Sequence, residues 1–156
     1  MDLRIKTAAQ QLAEARAKGR EHMSSFDITL HDNLWGMKVY SWQNATADEA
    51  IEFIMQLDSP VIWITSSEAE VDFSELSNWM ASTVDVVLSF GTSNKMMRQY
   101  LEPKLGYYNR KDTLLETLQL VKSVANPGAT LFFSPGLGKM SDAYKTAFEQ
   151  FLSNQL

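Results

Sequence analysis

A chain of 156 residues is long enough to bury a substantial core and short enough that one domain is the default. Its 45% hydrophobic and 21% charged residues are ordinary for a globular protein, and a formal net charge of −5 argues against a surface for nucleic acid or anionic membrane. Zero cysteines exclude disulfides, thiolate metal ligands and a cysteine nucleophile, and two histidines are too few for a histidine-rich zinc site.

No apolar run approaches the roughly 18 residues of a membrane span, and the opening Met1-Asp-Leu-Arg-Ile-Lys6 has no apolar signal core. The expected compartment is the cytoplasm. Residues 2 to 20 read as a helix, with Ile5, Ala8, Ala9, Leu12 and Ala15 at helical spacing. That stripe is mostly alanine and buries little area, so the helix is expected to pack loosely, pairing with a copy of itself or docking on a protein partner. Arg16, Lys18 and Arg20 form its solvated end. Residues 23 to 36 mix Ser, Asp, Asn and scattered apolars and read as a connector. The chain thus divides into residues 1–36, helix and connector, and residues 37–156, the main domain.

From Met37 the pattern alternates between strand and helix. Met37 to Ser41 is a short strand, and Thr46-Ala-Asp-Glu49 is a capping box opening a helix with Ala50, Ile51, Ile54 and Leu57 on one face. Pro60 to Thr65 is a continuous apolar run suited to a central parallel strand, in which Trp63 is core. Asp72-Phe-Ser-Glu75 caps a second helix carrying Phe73, Leu76 and Met80. Val84 to Phe90 is the next strand, Ser93 to Leu101 a short helix, and Leu105 to Tyr108 a short strand. A helix over 112–125 places Leu114, Leu115, Leu118, Val121 and Val124 towards one side, and Asn126-Pro-Gly128 stops it. Ala129 to Phe133 is the last buried strand, and Met140 to about Asn154 the closing helix. Strands alternating with helices imply an α/β fold with a mostly parallel sheet covered on both faces.

In such folds ligands bind beyond the carboxyl ends of the strands. Two stretches occupy that position: Ser66-Ser67-Glu68 after the second strand, and the turn Ser134-Pro-Gly136-Leu-Gly138-Lys139 before the last helix. The glycines of the latter permit a tight turn, and Lys139 would aid an anion at the helix N-terminus. It is not a Walker loop, because Phe133 stands where the first glycine belongs and Met140 follows the lysine. Glu68, Glu70 and Asp72 read as solvated loop carboxylates rather than a metal site. Trp42 is expected exposed near this groove, and Met96 and Met97 at the surface. His22 and His31 lie in the N-terminal part, away from the strand ends, so no serine–histidine–acid trio assembles.

The order of motifs resembles the C-terminal domain of the Mur ligases, nearest to the D-glutamate-adding enzyme of peptidoglycan synthesis. The family's S-K-A-T-N segment is echoed by Tyr40-Ser41-Trp42-Gln43-Asn44. Its strand ending in G-G, then an acidic residue, a lysine and D-F-S-x-L, is echoed by Ile64-Thr-Ser-Ser-Glu-Ala-Glu-Val-Asp-Phe-Ser-Glu-Leu76. Its P-G-D-x-V-L-L-S-P-A segment is echoed by Pro127-Gly-Ala-Thr-Leu-Phe-Phe-Ser-Pro-Gly136. The likeness covers about residues 37 to 152. It implies a Rossmann-like, three-layer α/β/α domain of about six strands, and a groove formed by Ser41, Asn44, Ser66, Ser67, Glu68, Ser134, Gly136, Gly138 and Lys139.

The departures bear on activity. The family's ATP-binding P-loop domain has no counterpart in these 156 residues, and both family lysines are replaced. Trp42 or Gln43 stands at the first, and Ala69, between Glu68 and Glu70, at the second. The family's substrate-holding serine after the S-P turn falls at Lys139. A site for a dicarboxylic amino acid beside a charged acyl-phosphate needs fixed cations. The expected function is therefore a binding or interaction module without ligase activity of its own, with no cofactor or metal and with a small-molecule ligand or protein partner. The alternatives are a non-ATPase component of a split amino-acid ligase, and a small-molecule or nucleotide sensor on the same fold.

Overall fold

Val61-Ile-Trp-Ile-Thr-Ser66 and Thr130-Leu-Phe-Phe-Ser134 are apolar at consecutive positions, which suits only strands covered on both faces. In the computed structural model, which describes residues 28–58, 60–66, 83–91, 98–99, 102, 105–136 and 140–155, these two runs are hydrogen-bonded neighbours in the middle of a sheet. The strands are β1 (Ile28–Leu34), β2 (Met37–Trp42), β3 (Val61–Ser66), β4 (Val84–Phe90), β5 (Tyr107–Lys111) and β6 (Thr130–Ser134). The helices are α1 (Ala47–Ile54), α2 (Leu114–Gln119), α3 (Val121–Val124) and α4 (Ser141–Gln155).

The sheet order is β1-β2-β6-β3-β4-β5. β1 runs antiparallel to β2, and every other neighbouring pair is parallel. The step from β2 to β3 carries α1 on one face. The step from β5 back to β6 runs the opposite way and carries α2 and α3 on the other, as right-handed crossovers require. The result is a three-layer, Rossmann-like α/β domain. On the α2–α3–α4 face Phe133 stacks on Phe148 at 4.4 Å, and Phe90 meets Tyr144 edge-on at 4.9 Å. On the α1 face Phe53 packs on Phe132 at 4.8 Å beside Trp63, which is fully buried as expected.

Local chemistry places the helices. Thr46 Oγ1 accepts from the Glu49 amide at 3.1 Å, and the Glu49 carboxylate accepts from the Thr46 amide at 3.0 Å, which completes the expected capping box of α1. The helix expected over 112–125 is instead two pieces that meet at Leu120. There the amides of Leu120 and Ser123 reach back three residues instead of four, and the Thr117 and Ser123 hydroxyls bond nearby carbonyls. Leu115, expected on the inner side, is 65% exposed.

Two further expectations are corrected. Residues 28–34, read as connector, form β1, which joins β2 through the turn Trp35-Gly36. Both turn residues have positive φ (50° and 84°), as in the tight hairpins whose usual signal is Asn-Gly. A tryptophan in that position gives no such signal, and it is held there by edge-on packing against Phe151. The strand expected over 105–108 runs over Tyr107–Lys111, because Leu105 turns inward to the α1-side core before pairing with β4 begins. The helices expected at 2–20 and from Asp72 lie outside the described residues, as does most of the one at 93–101.

Candidate functional site

The parallel strands β2, β6 and β3 end side by side. Ser41 is in register with Phe133, and Thr65 with Ser134. The chain leaves β2 towards α1 on one face and leaves β6 towards α4 on the other. Neighbouring strands whose continuations diverge in this way open a crevice, the usual ligand position in such sheets. Ser41, Ser66 and Ser134 sit at these ends, with Asn44 and Gly136 just beyond them. Ser67, Glu68, Gly138 and Lys139 lie outside the described residues.

The described candidates are engaged within the fold. Ser41, 3% exposed, has its Oγ 2.7 Å from His31 Nε2. Ser134, 2% exposed, accepts a hydrogen bond from Trp63 Nε1 at 2.7 Å. Asn44 (φ 64°) and Gly136 (φ 90°) have left-handed backbones that turn the chain away from β2 and β6, which is the structural role that turn residues of these types serve. Across the crevice the Gln43 amide donates to the Asp142 carboxylate and links the loop after β2 to the first turn of α4. Trp42, expected exposed, is buried against Phe53 at 6.2 Å.

His31 was expected away from the strand ends, and the hairpin brings it to Ser41. Its ring packs edge-on against Phe148 of α4 at 5.7 Å. Burial holds its pKa below the ordinary 6.5, opposed by the Glu149 carboxylate, reinforced by Lys145 and opposed again by Asp32. A mainly neutral imidazole bonded to a buried serine is a packing element here.

Ser141, the first residue of α4, closes the glycine turn in the sequence and carries no expected site role there. Its hydroxyl is buried and has no hydrogen-bond partner among the described residues. A buried hydroxyl left open at a helix N-terminus suits a small polar or anionic group. The neighbouring Asp142 lowers the local potential, and the described residues at 41–46, 65–66, 134–136 and 140–142 include no Lys or Arg. No group of three or more His, Asp or Glu among the described residues is arranged to hold a metal ion.

Neither protein-family models nor characterised protein sequences give a match to this chain. Among solved structures, the chain is similar to a domain assigned to a UDP-N-acetylmuramate:L-alanyl-γ-D-glutamyl-meso-diaminopimelate ligase of Haemophilus ducreyi. The TM-score is 0.57 at 13% identity, and the likeness covers 82% of this chain and 98% of that one. At that identity the likeness is one of fold, a six-stranded, mostly parallel sheet covered by helices. No helix among the described residues is long and apolar enough to cross a membrane.

Proposed function

We propose that this chain is a Mur-ligase C-terminal-like domain acting as a binding or interaction module linked to peptidoglycan-precursor metabolism, without ligase activity of its own. In motif order it is nearest to the D-glutamate-adding enzyme. The observation that carries the reading is the use of the carboxyl-end side chains inside the fold, with Ser41 bonded to His31 and Ser134 to Trp63. Positioning a dicarboxylate beside an acyl-phosphate takes fixed cations whose field is not cancelled nearby. The described strand ends offer Asp142, already bonded to Gln43, and one open hydroxyl, that of Ser141. Such an edge suits recognition of a polar group and not stabilisation of a highly charged transition state.

Titration calorimetry of the purified chain against UDP-muramyl peptides, acidic amino acids and ATP tests this reading. Saturable heat is expected from one of the first two classes, and Ser141→Ala is expected to weaken it. Flat titrations throughout would move the reading to a protein partner. Hydrolysis of ATP by the chain would contradict it.

A further inference from the structure

The amino end of the sheet holds a cavity of about 460 Å³, a volume within the roughly 300–1,000 Å³ typical of small-molecule sites. Three connections frame it: the β1–β2 turn, the segment after α1 and the turn before β6. Their backbones are tied to one another. The Gly128 amide donates to the Gly36 carbonyl at 3.0 Å, and the Thr130 amide to that of Pro60 at 2.8 Å. A Cβ on Gly36 would come within 3.0 Å of Pro127 Cβ, so the two turns are in close contact. β1 has one extra residue between His31 and Leu34, a bulge that carries Asn33 to the rim. Walls fixed in this way exist before any ligand arrives.

Two opposite charges line the space. Lys38 on β2 and Asp58 beyond α1 are both exposed, and neither belongs to an ion pair among the described residues. Tyr40, held edge-on by Phe53 at 5.3 Å, contributes an aromatic surface to the lining, and the Gln56 side chain a further polar group.

We infer that this cavity binds a small zwitterion. Lys38 holds its anionic group, Asp58 in the segment after α1 holds its ammonium, and its carbon chain lies along Tyr40. A zwitterion is attracted by both charges at once, whereas a ligand of single charge is attracted by one and repelled by the other, and this is the source of selectivity. The cavity is at the other end of the strands from the crevice described above, so this inference stands apart from the proposed function.

The test is an amide NMR titration of the isotope-labelled full chain with glycine, γ-aminobutyrate and ε-aminocaproate, and with butyrate and butylamine as single-charge probes. At least one zwitterion is expected to saturate shifts at Gly36, Gly128 and Thr130 at concentrations where neither single-charge probe moves them. Lys38→Met and Asp58→Asn are each expected to weaken that binding roughly tenfold or more, the loss of a charge-assisted hydrogen bond. Both positions are exposed, and an otherwise unchanged spectrum would confirm that the variants fold. Equal shifts with butyrate or butylamine, undiminished binding by either variant, or no saturating shift with any of the three zwitterions would overturn the inference.

Discussion

At the carboxyl end of the sheet, Ser41 and Ser134 turn inward and are bonded to His31 and Trp63. At the amino end, Lys38 and Asp58 stand exposed around a cavity whose walls are held by backbone hydrogen bonds between turns. The difference follows from the groups themselves. A hydroxyl can be buried at little cost once it has one good partner, whereas a charge stays at the surface unless it is paired. Where strand ends carry small hydroxyls the fold can close over them. Where they carry charges and glycine turns, a solvated recess remains. Among the described residues, the end at which such folds usually bind ligands is the one whose strand-end Ser41 and Ser134 are used within the fold.

The contrast is most easily broken at the buried pair. Trp63→Phe removes the indole N–H from the Ser134 hydroxyl and leaves unfilled volume in the core, and is expected to cost at least about 1–3 kcal/mol in denaturant unfolding. Ser134→Ala strands the indole N–H at a similar cost, and the double variant should lose clearly less than the sum. Additive losses would mean that the bond contributes nothing and that the carboxyl end is not closed by it. At the amino end, Gly36→Ala sets a side chain at φ 84° and within 3.0 Å of Pro127. A loss of about 1–2 kcal/mol is expected from the left-handed backbone alone. An unchanged midpoint would show that the turns framing the cavity are looser than their hydrogen bonds suggest.

A smaller effect sharpens the role of His31. Its folded pKa is depressed, so the unfolded chain takes up the proton first as pH falls. The stability it contributes is complete above 6.5 and is lost as pH drops through the folded value. The thermal midpoint of the native chain is therefore expected to fall more steeply over that window than that of His31→Gln. Parallel curves would place His31 in solvent and free Ser41 of its partner.

Much of the architecture was legible because it rests on local signals. The run at 61–66, the strand at 130–134 and the reciprocal Thr46–Glu49 cap each declare themselves within a few residues. β1 did not, since three of its seven residues are exposed at a sheet edge and its turn uses Trp35 where Asn or Gly is the usual sign. Missing β1 also hid the contact of His31 with Ser41, which depends on hairpin register. For the site, sequence placed Ser41, Ser66 and Ser134 at the strand ends correctly, but it could not tell which way their hydroxyls point or what they meet. The Trp63–Ser134 bond spans 71 residues and the Gln43–Asp142 link 99, and no local pattern encodes either. Ser141 was legible only as the end of a glycine turn, and that its hydroxyl meets no partner among the described residues is a property of packing.

The proposed function holds that a Mur-ligase-like fold uses its carboxyl-end hydroxyls within the fold and not in ligation. Ligation measured on the purified chain, with ATP, a UDP-muramyl peptide and a panel of acidic amino acids, tests this most directly. The account predicts no product and no nucleotide consumption by the chain alone. Product formed in proportion to the concentration of this chain, with no second protein present, would contradict it.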